Sequence, residues 1–78
     1  MTTHERLNAI FREVFDDEEI AVRPETTARD IDGWDSLSHV NLIVTIEARL
    51  GIRFDQKELL TFRNVGDMMA AIERKLAR

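Results

Sequence analysis

The 78 residues suffice for one hydrophobic core and are too few for two, and a chain 44% apolar and 33% charged has enough apolar side chain to fold rather than stay disordered. Residues 1–78 are therefore expected to form a single domain. With no cysteine, a disulfide framework, a thiolate zinc site and a cysteine nucleophile are all excluded, which suits a reducing cytoplasm. Fifteen acidic against eleven basic residues give a net charge of −4, a field that repels nucleic-acid phosphate and attracts basic protein surfaces.

No stretch has the run of about eighteen apolar residues that a membrane span needs, and the N-terminal Met-Thr-Thr-His-Glu-Arg lacks a signal-peptide pattern. Neither nucleic acid nor membrane is an expected partner, and a monomer is expected.

Thr2 and Glu5 have the spacing of a capping box, and Leu7, Ile10, Phe11, Val14 and Phe15 follow at helical spacing. These predict a first helix ending near Phe15. His4, in its first turn, has no recognisable partner. From Asp16 to Asp35 the pattern lapses into acids, Pro24, Thr26-Thr27 and Gly33. A loop that long needs pinning, and Ile20, Val22 and Ile31 are the apolar residues available to do it. Asp16-Asp17-Glu18-Glu19 reads as a solvated acidic run, since nothing there fixes a metal coordination geometry.

Ser36 to Leu50 contains neither proline nor glycine, and Gly51 follows where a left-handed residue closes a helix. This predicts the second helix. Asp55 and Glu58 repeat the capping-box spacing and predict a short third helix ending near Thr61 or Phe62. Asn64 is placed to cap a last helix with a core face of Val65, Met68, Met69, Ile72 and Leu76, its basic residues in the final turns where the helix dipole favours cations. No period-two alternation strong enough for a strand occurs. The expected class is all-α, a small four-helix bundle of three longer helices and one short one, with its long loop between the first and second.

At about 100° per residue, the second helix carries two apolar stripes. Leu42, Ile43, Ile46 and Leu50 lie on one side, and Leu37, Val40, Val44 and Ala48 on nearly the opposite side. A single core takes one stripe; the other lines a cleft or faces a partner. The alternative is a central helix buried on most sides, and spacing alone does not say which stripe is which.

Asp32-Gly33-Trp34-Asp35-Ser36-Leu37 puts a serine in the first turn of the second helix, just after a glycine-containing loop. The first amides of a helix lack internal partners and sit at the positive end of its dipole, so a phosphate esterified to Ser36 meets donors and a favourable field. The plain alternative is that Asp35 or Ser36 is an ordinary N-cap. Trp34 reads as a ring packed over the helix entrance against His39 or Val40.

Asp35-Ser36-Leu37, followed by Val40, Leu42, Ile43, Glu47 and Leu50-Gly51-Ile52, resembles the acyl carrier protein family around its phosphopantetheine serine. Pro24-Glu25-Thr26 resembles that family's long loop, and Asn64-Val65-Gly66-Asp67 the start of its last helix. The resemblance implies a carrier and no enzyme. A phosphopantetheinyl transferase would move the phosphopantetheine arm from coenzyme A to the Ser36 hydroxyl. Asp35 would be the motif carboxylate that positions the transferase's magnesium, the carrier itself holding no metal.

Cargo would ride as a thioester on the arm's thiol: fatty acyl, polyketide, hydroxyacyl or aminoacyl groups, supplied by loading ligases and passed to synthase-type enzymes. The resemblance assigns Leu37, Val40 and Val44 to the border of the partner face and cargo cleft, Glu47 to partner docking, and Leu42, Ile46 and Leu50 to the core. Ser38, His39, Asn41 and Arg49 stand where members serving fatty acid synthesis carry more acid, and the bulky Trp34 is more like stand-alone carriers of specialised acyl or aminoacyl pathways.

Two other readings follow from the residues. Ser36 and His39, three apart on one helix face, could form a nucleophile and base, but no Gly-x-Ser-x-Gly elbow or oxyanion hole accompanies them. Alternatively, the second helix could dock partners as an unmodified helical adaptor.

Overall fold

A computed structural model describes residues 2–77. In chain order it has α1 (Thr3–Val14), a 3₁₀ turn (Ala28–Asp30), α2 (Ser36–Leu50), α3 (Gln56–Leu59) and α4 (Val65–Leu76), and no strand among the described residues. The helix starts are where the capping residues predict them. Thr2 and Glu5 form a reciprocal capping box, and Asn64 accepts the Asp67 N–H at 2.9 Å. Gly51, at φ 66°, closes α2. Asp16 takes φ 50° directly after α1, a conformation that a short polar side chain tolerates, so the acidic run begins as a helix terminator.

α3 is shorter than predicted. It ends at Leu59, because the Thr61 hydroxyl donates to Glu58 O at 2.7 Å and turns the chain out of the helix.

The core is one cluster, with α1 packed on both α2 and α4. Leu7 and Phe11 of α1 meet Leu42 and Ile46 of α2 and Val65, Met68 and Ile72 of α4, all essentially without solvent exposure. Leu76, predicted on the α4 core face, is instead 39% exposed, while Ala71 is fully buried. The reason lies in the last turn, where the partly buried Lys75 takes the inward position. Its ammonium pairs with Glu58 at 2.7 Å and sits 5.7 Å from the centroid of the Phe54 ring.

The long loop is held by polar side chains of α1 as well as by its apolar pins. Val22 is buried, and Ile20 and Ile31 pack against the core. In addition, Asn8 Oδ1 accepts the Val22 N–H at 2.7 Å, Arg12 Nε donates to Ile20 O at 2.7 Å, and His4 Nε2 bonds Val22 O. His4 therefore has a partner that local sequence did not reveal. The two first amides of α4 reach back to the same loop, Val65 N–H to Thr26 O at 2.8 Å and Gly66 N–H to Pro24 O at 2.7 Å.

Gly66 is needed for this last approach, since a Cβ there would come within 2.9 Å of Pro24 O. That contact is with backbone and cannot swing aside. Gly66→Ala is expected to destabilise the fold by about 1–3 kcal/mol despite alanine's better helix propensity. Urea denaturation checks this, and an unchanged midpoint would show that the loop can retreat freely.

Candidate functional site

The start of α2 is a polar turn closed on itself. Asp35 is the N-cap: its Oδ1 accepts the Ser38 N–H at 2.9 Å, and its carbonyl accepts the His39 N–H at 2.9 Å. Ser36 is thus the first helical residue and not the cap, and its side chain is exposed. The neighbouring Ser38 hydroxyl is engaged, donating to Gly33 O at 2.7 Å, while Gly33 supplies the φ of 85° that brings the loop to the helix. The bonds from Ser38, its backbone N–H first, hold the Asp35 carboxyl below the ordinary carboxylate range.

Trp34 locks this turn onto the core. Its ring meets Phe11 edge-on at 5.3 Å and lies tilted against Phe15 at 6.2 Å. Its Nε1–H donates to His39 Nδ1 at 3.1 Å, with the two rings nearly parallel. The packing expected against His39 is present, with an added contact to α1. This bond needs an unprotonated Nδ1, so the imidazole's lone pair at that atom is committed to the indole and is not directed at Ser36.

Burial also pushes the His39 pKa below its usual 6.5. A base with a depressed folded pKa is disfavoured as a cation in the fold, so its contribution is undiminished above about 6.5 and declines as pH falls through the lower folded value. The carboxyls of Asp35, Glu58 and Glu5 are also depressed, by bonds from Ser38, Asp55 and Thr2 respectively, so their contribution is lost in a separate window below their ordinary values near 4. Urea midpoints are expected to fall in wild type as pH drops below about 6.5 and to fall less in His39→Gln, with a further fall at about 4 in both proteins. Identical pH dependence of the two midpoints would contradict this.

Ser36 opens onto a cleft of about 490 Å³ whose walls include Trp34, His39, Phe62, Met68 and Arg63. It lies between the start of α2 and the segment joining α3 to α4. On α2, Leu42, Ile43 and Ile46 are buried, whereas Leu37, Val40 and Val44 are 81%, 60% and 56% exposed. One stripe therefore goes to the core and one outward, with Leu50 part-buried, but Leu37, Val40 and Val44, expected to border the cargo cleft, are not among the residues lining the cleft at Ser36.

Leu60, just beyond α3, is 87% exposed, an outward apolar residue that helical periodicity did not single out. Glu47 is half-buried, and its Oε2 accepts the Phe54 N–H at 2.8 Å, tying α2 to the segment before α3. Arg49 pairs with Glu13 of α1.

Similarity to known proteins accords with this arrangement. The family model described as a phosphopantetheine attachment site matches residues 5–72. The chain is 32% identical to an acyl carrier protein of Thermotoga maritima over 91% of its own length and 88% of the relative's. It is 35% identical to the acyl carrier protein MbtL of Mycobacterium tuberculosis over 95% and 88%. The solution structure of a holo acyl carrier protein from Geobacter metallireducens superimposes with a TM-score of 0.94 at 51% identity, covering all of this chain and 90% of that one.

A four-helix domain with this motif turn is a carrier and not an enzyme, with covalently attached phosphopantetheine as its cofactor. The chain belongs to the acyl carrier protein family. Such carriers work with phosphopantetheinyl transferases and synthase-type enzymes.

Proposed function

We propose that Ser36 is the residue that receives the phosphopantetheine arm, and that residues 1–78 act as a single carrier domain shuttling thioester-bound acyl intermediates between enzymes of the cytoplasm. The observation that carries this reading is the exposed Ser36 side chain in the first turn of α2, at the mouth of an open cleft. These surroundings fit the group. An exposed hydroxyl is reachable by a transferase, and the start of a helix favours an esterified anion. The part-apolar cleft beside it can shelter an uncharged chain.

In the transfer, Ser36 Oγ gains a bond to phosphorus as the pyrophosphate bond of coenzyme A breaks. The adenosine bisphosphate half leaves, and the hydroxyl proton passes to the transferase. Asp35 would help position the transferase's magnesium, its carboxyl held below the ordinary carboxylate range by the Ser38 bonds. Incubation with coenzyme A, magnesium and a broad-specificity transferase, followed by intact mass, tests the reading: one added arm is expected, and an unchanged mass would overturn it.

The docking face in this reading is the outward stripe of Leu37, Val40 and Val44, with Glu47 supporting it through Phe54. Val40→Asp is expected to weaken docking to a loading enzyme by about 1–2 kcal/mol. Because Val40 is 60% exposed, the loss of stability should stay within about 1 kcal/mol. Titration calorimetry beside a thermal melt separates the two, and equal affinity of wild type and variant would remove Val40 from the face.

A further inference from the structure

The lining of the cleft at Ser36 includes one cation, Arg63, and one carboxylate, Asp35, amid apolar walls of Trp34, Phe62 and Met68. The carboxylate is already engaged by the Ser38 N–H. The guanidinium is not paired: the ion pairs among the described residues are Arg49 with Glu13 and Lys75 with Glu58. The nearby Asp67 carboxylate accepts the backbone N–H of Arg63, at 2.9 Å.

Both neighbours hold the backbone of Arg63 in place. Phe62 stacks edge-on against Phe54 at 5.5 Å, and Asn64 caps α4. An exposed guanidinium outside those ion pairs, on a fixed backbone at the lining of a mostly apolar cleft, is suited to receive an anion even against the net charge of −4.

We propose that Arg63 binds an anion carried by the arm on Ser36, the phosphodiester being the anion present in every holo molecule and a cargo carboxylate the other source. The proposal rests on Ser36 being the attachment residue. It makes Arg63 a positioning residue that draws the arm along the segment between α3 and α4 and, if the anion belongs to the cargo, a selector of dicarboxylic acyl groups. Arginine suits this better than lysine, since its planar fork can meet two oxygens at once.

The test uses wild type, Arg63→Lys and Arg63→Gln, each converted to the holo form with coenzyme A and a transferase and scored by intact mass. The Arg63 Nε–Hε resonance is followed in wild type from apo to holo, and then to the butyryl and succinyl thioesters. Movement at the apo-to-holo step is expected, with a phosphorus resonance displaced in Arg63→Gln and less so in Arg63→Lys; this assigns the phosphodiester as the anion. Movement that appears only with succinyl cargo supports the proposal and assigns the cargo carboxylate. A resonance stationary through every form, with the phosphorus signal alike in all three proteins, overturns the inference. Wild type that takes up no arm overturns the Ser36 reading and this one with it, a failure seen in the mass before any spectrum is recorded.

Discussion

Ser36→Ala is expected to remain at its unmodified mass after incubation with coenzyme A and a transferase, while melting within about 0.5 kcal/mol of wild type. Both halves follow from the position. The hydroxyl is the only group the alanine removes, and since the side chain is exposed no buried partner is left unsatisfied. The N-cap is Asp35 and stays in place, so the helix start survives.

Ser38→Ala is the informative comparison. Its hydroxyl is committed to Gly33 O, so this variant should still accept the arm but lose the bond that closes the turn. Should Ser36→Ala still gain an arm, the attachment residue would have to be reassigned.

Phe11→Ala is expected to cost about 3–5 kcal/mol, the range for emptying a fully buried aromatic site. Phe11 has no solvent exposure and lies where α1 packs on the rest of the core. It also touches the functional turn: its ring is stacked with Phe15 at 5.8 Å and meets Trp34 edge-on at 5.3 Å. Domains of this size have of order 5–15 kcal/mol of stability in total, so the variant should be partly unfolded near physiological temperature. Its urea midpoint should drop, and Trp34 fluorescence should report a loosened motif turn before global unfolding. Phe15→Ala, at a half-buried site, is expected to lose less. A midpoint within about 1 kcal/mol of wild type would mean that the core refills the cavity, against the usual cost of such truncations.

The two variants separate roles that sit side by side. Trp34, between Phe11 and His39, joins them: one face of this residue belongs to the core and the other to the cleft beside Ser36. Such a turn is fixed before any arm or partner arrives, so modification need not order it. The exposed Leu37, Val40 and Val44 lie outside the packing that holds the helix start.

The four helices with their capped starts, the glycine that ends α2 and the motif around Ser36 were all legible in the chain, the end of α3 excepted. These depend on residues within a turn or two of one another, through capping bonds and 3.6-residue periodicity. The two stripes of α2 were visible in the same way, but only tertiary packing decided that Leu42, Ile43 and Ile46 turn inward and Leu37, Val40 and Val44 outward.

Tertiary structure alone supplied the bonds of His4, Asn8 and Arg12 to the long loop, the seat of Gly66 against Pro24, the inward Lys75 that leaves Leu76 at the surface, and the placing of Arg63 in the same cleft as Ser36. Each joins residues of different elements, and such contacts depend on how helices and loop meet in space, which local spacing does not encode.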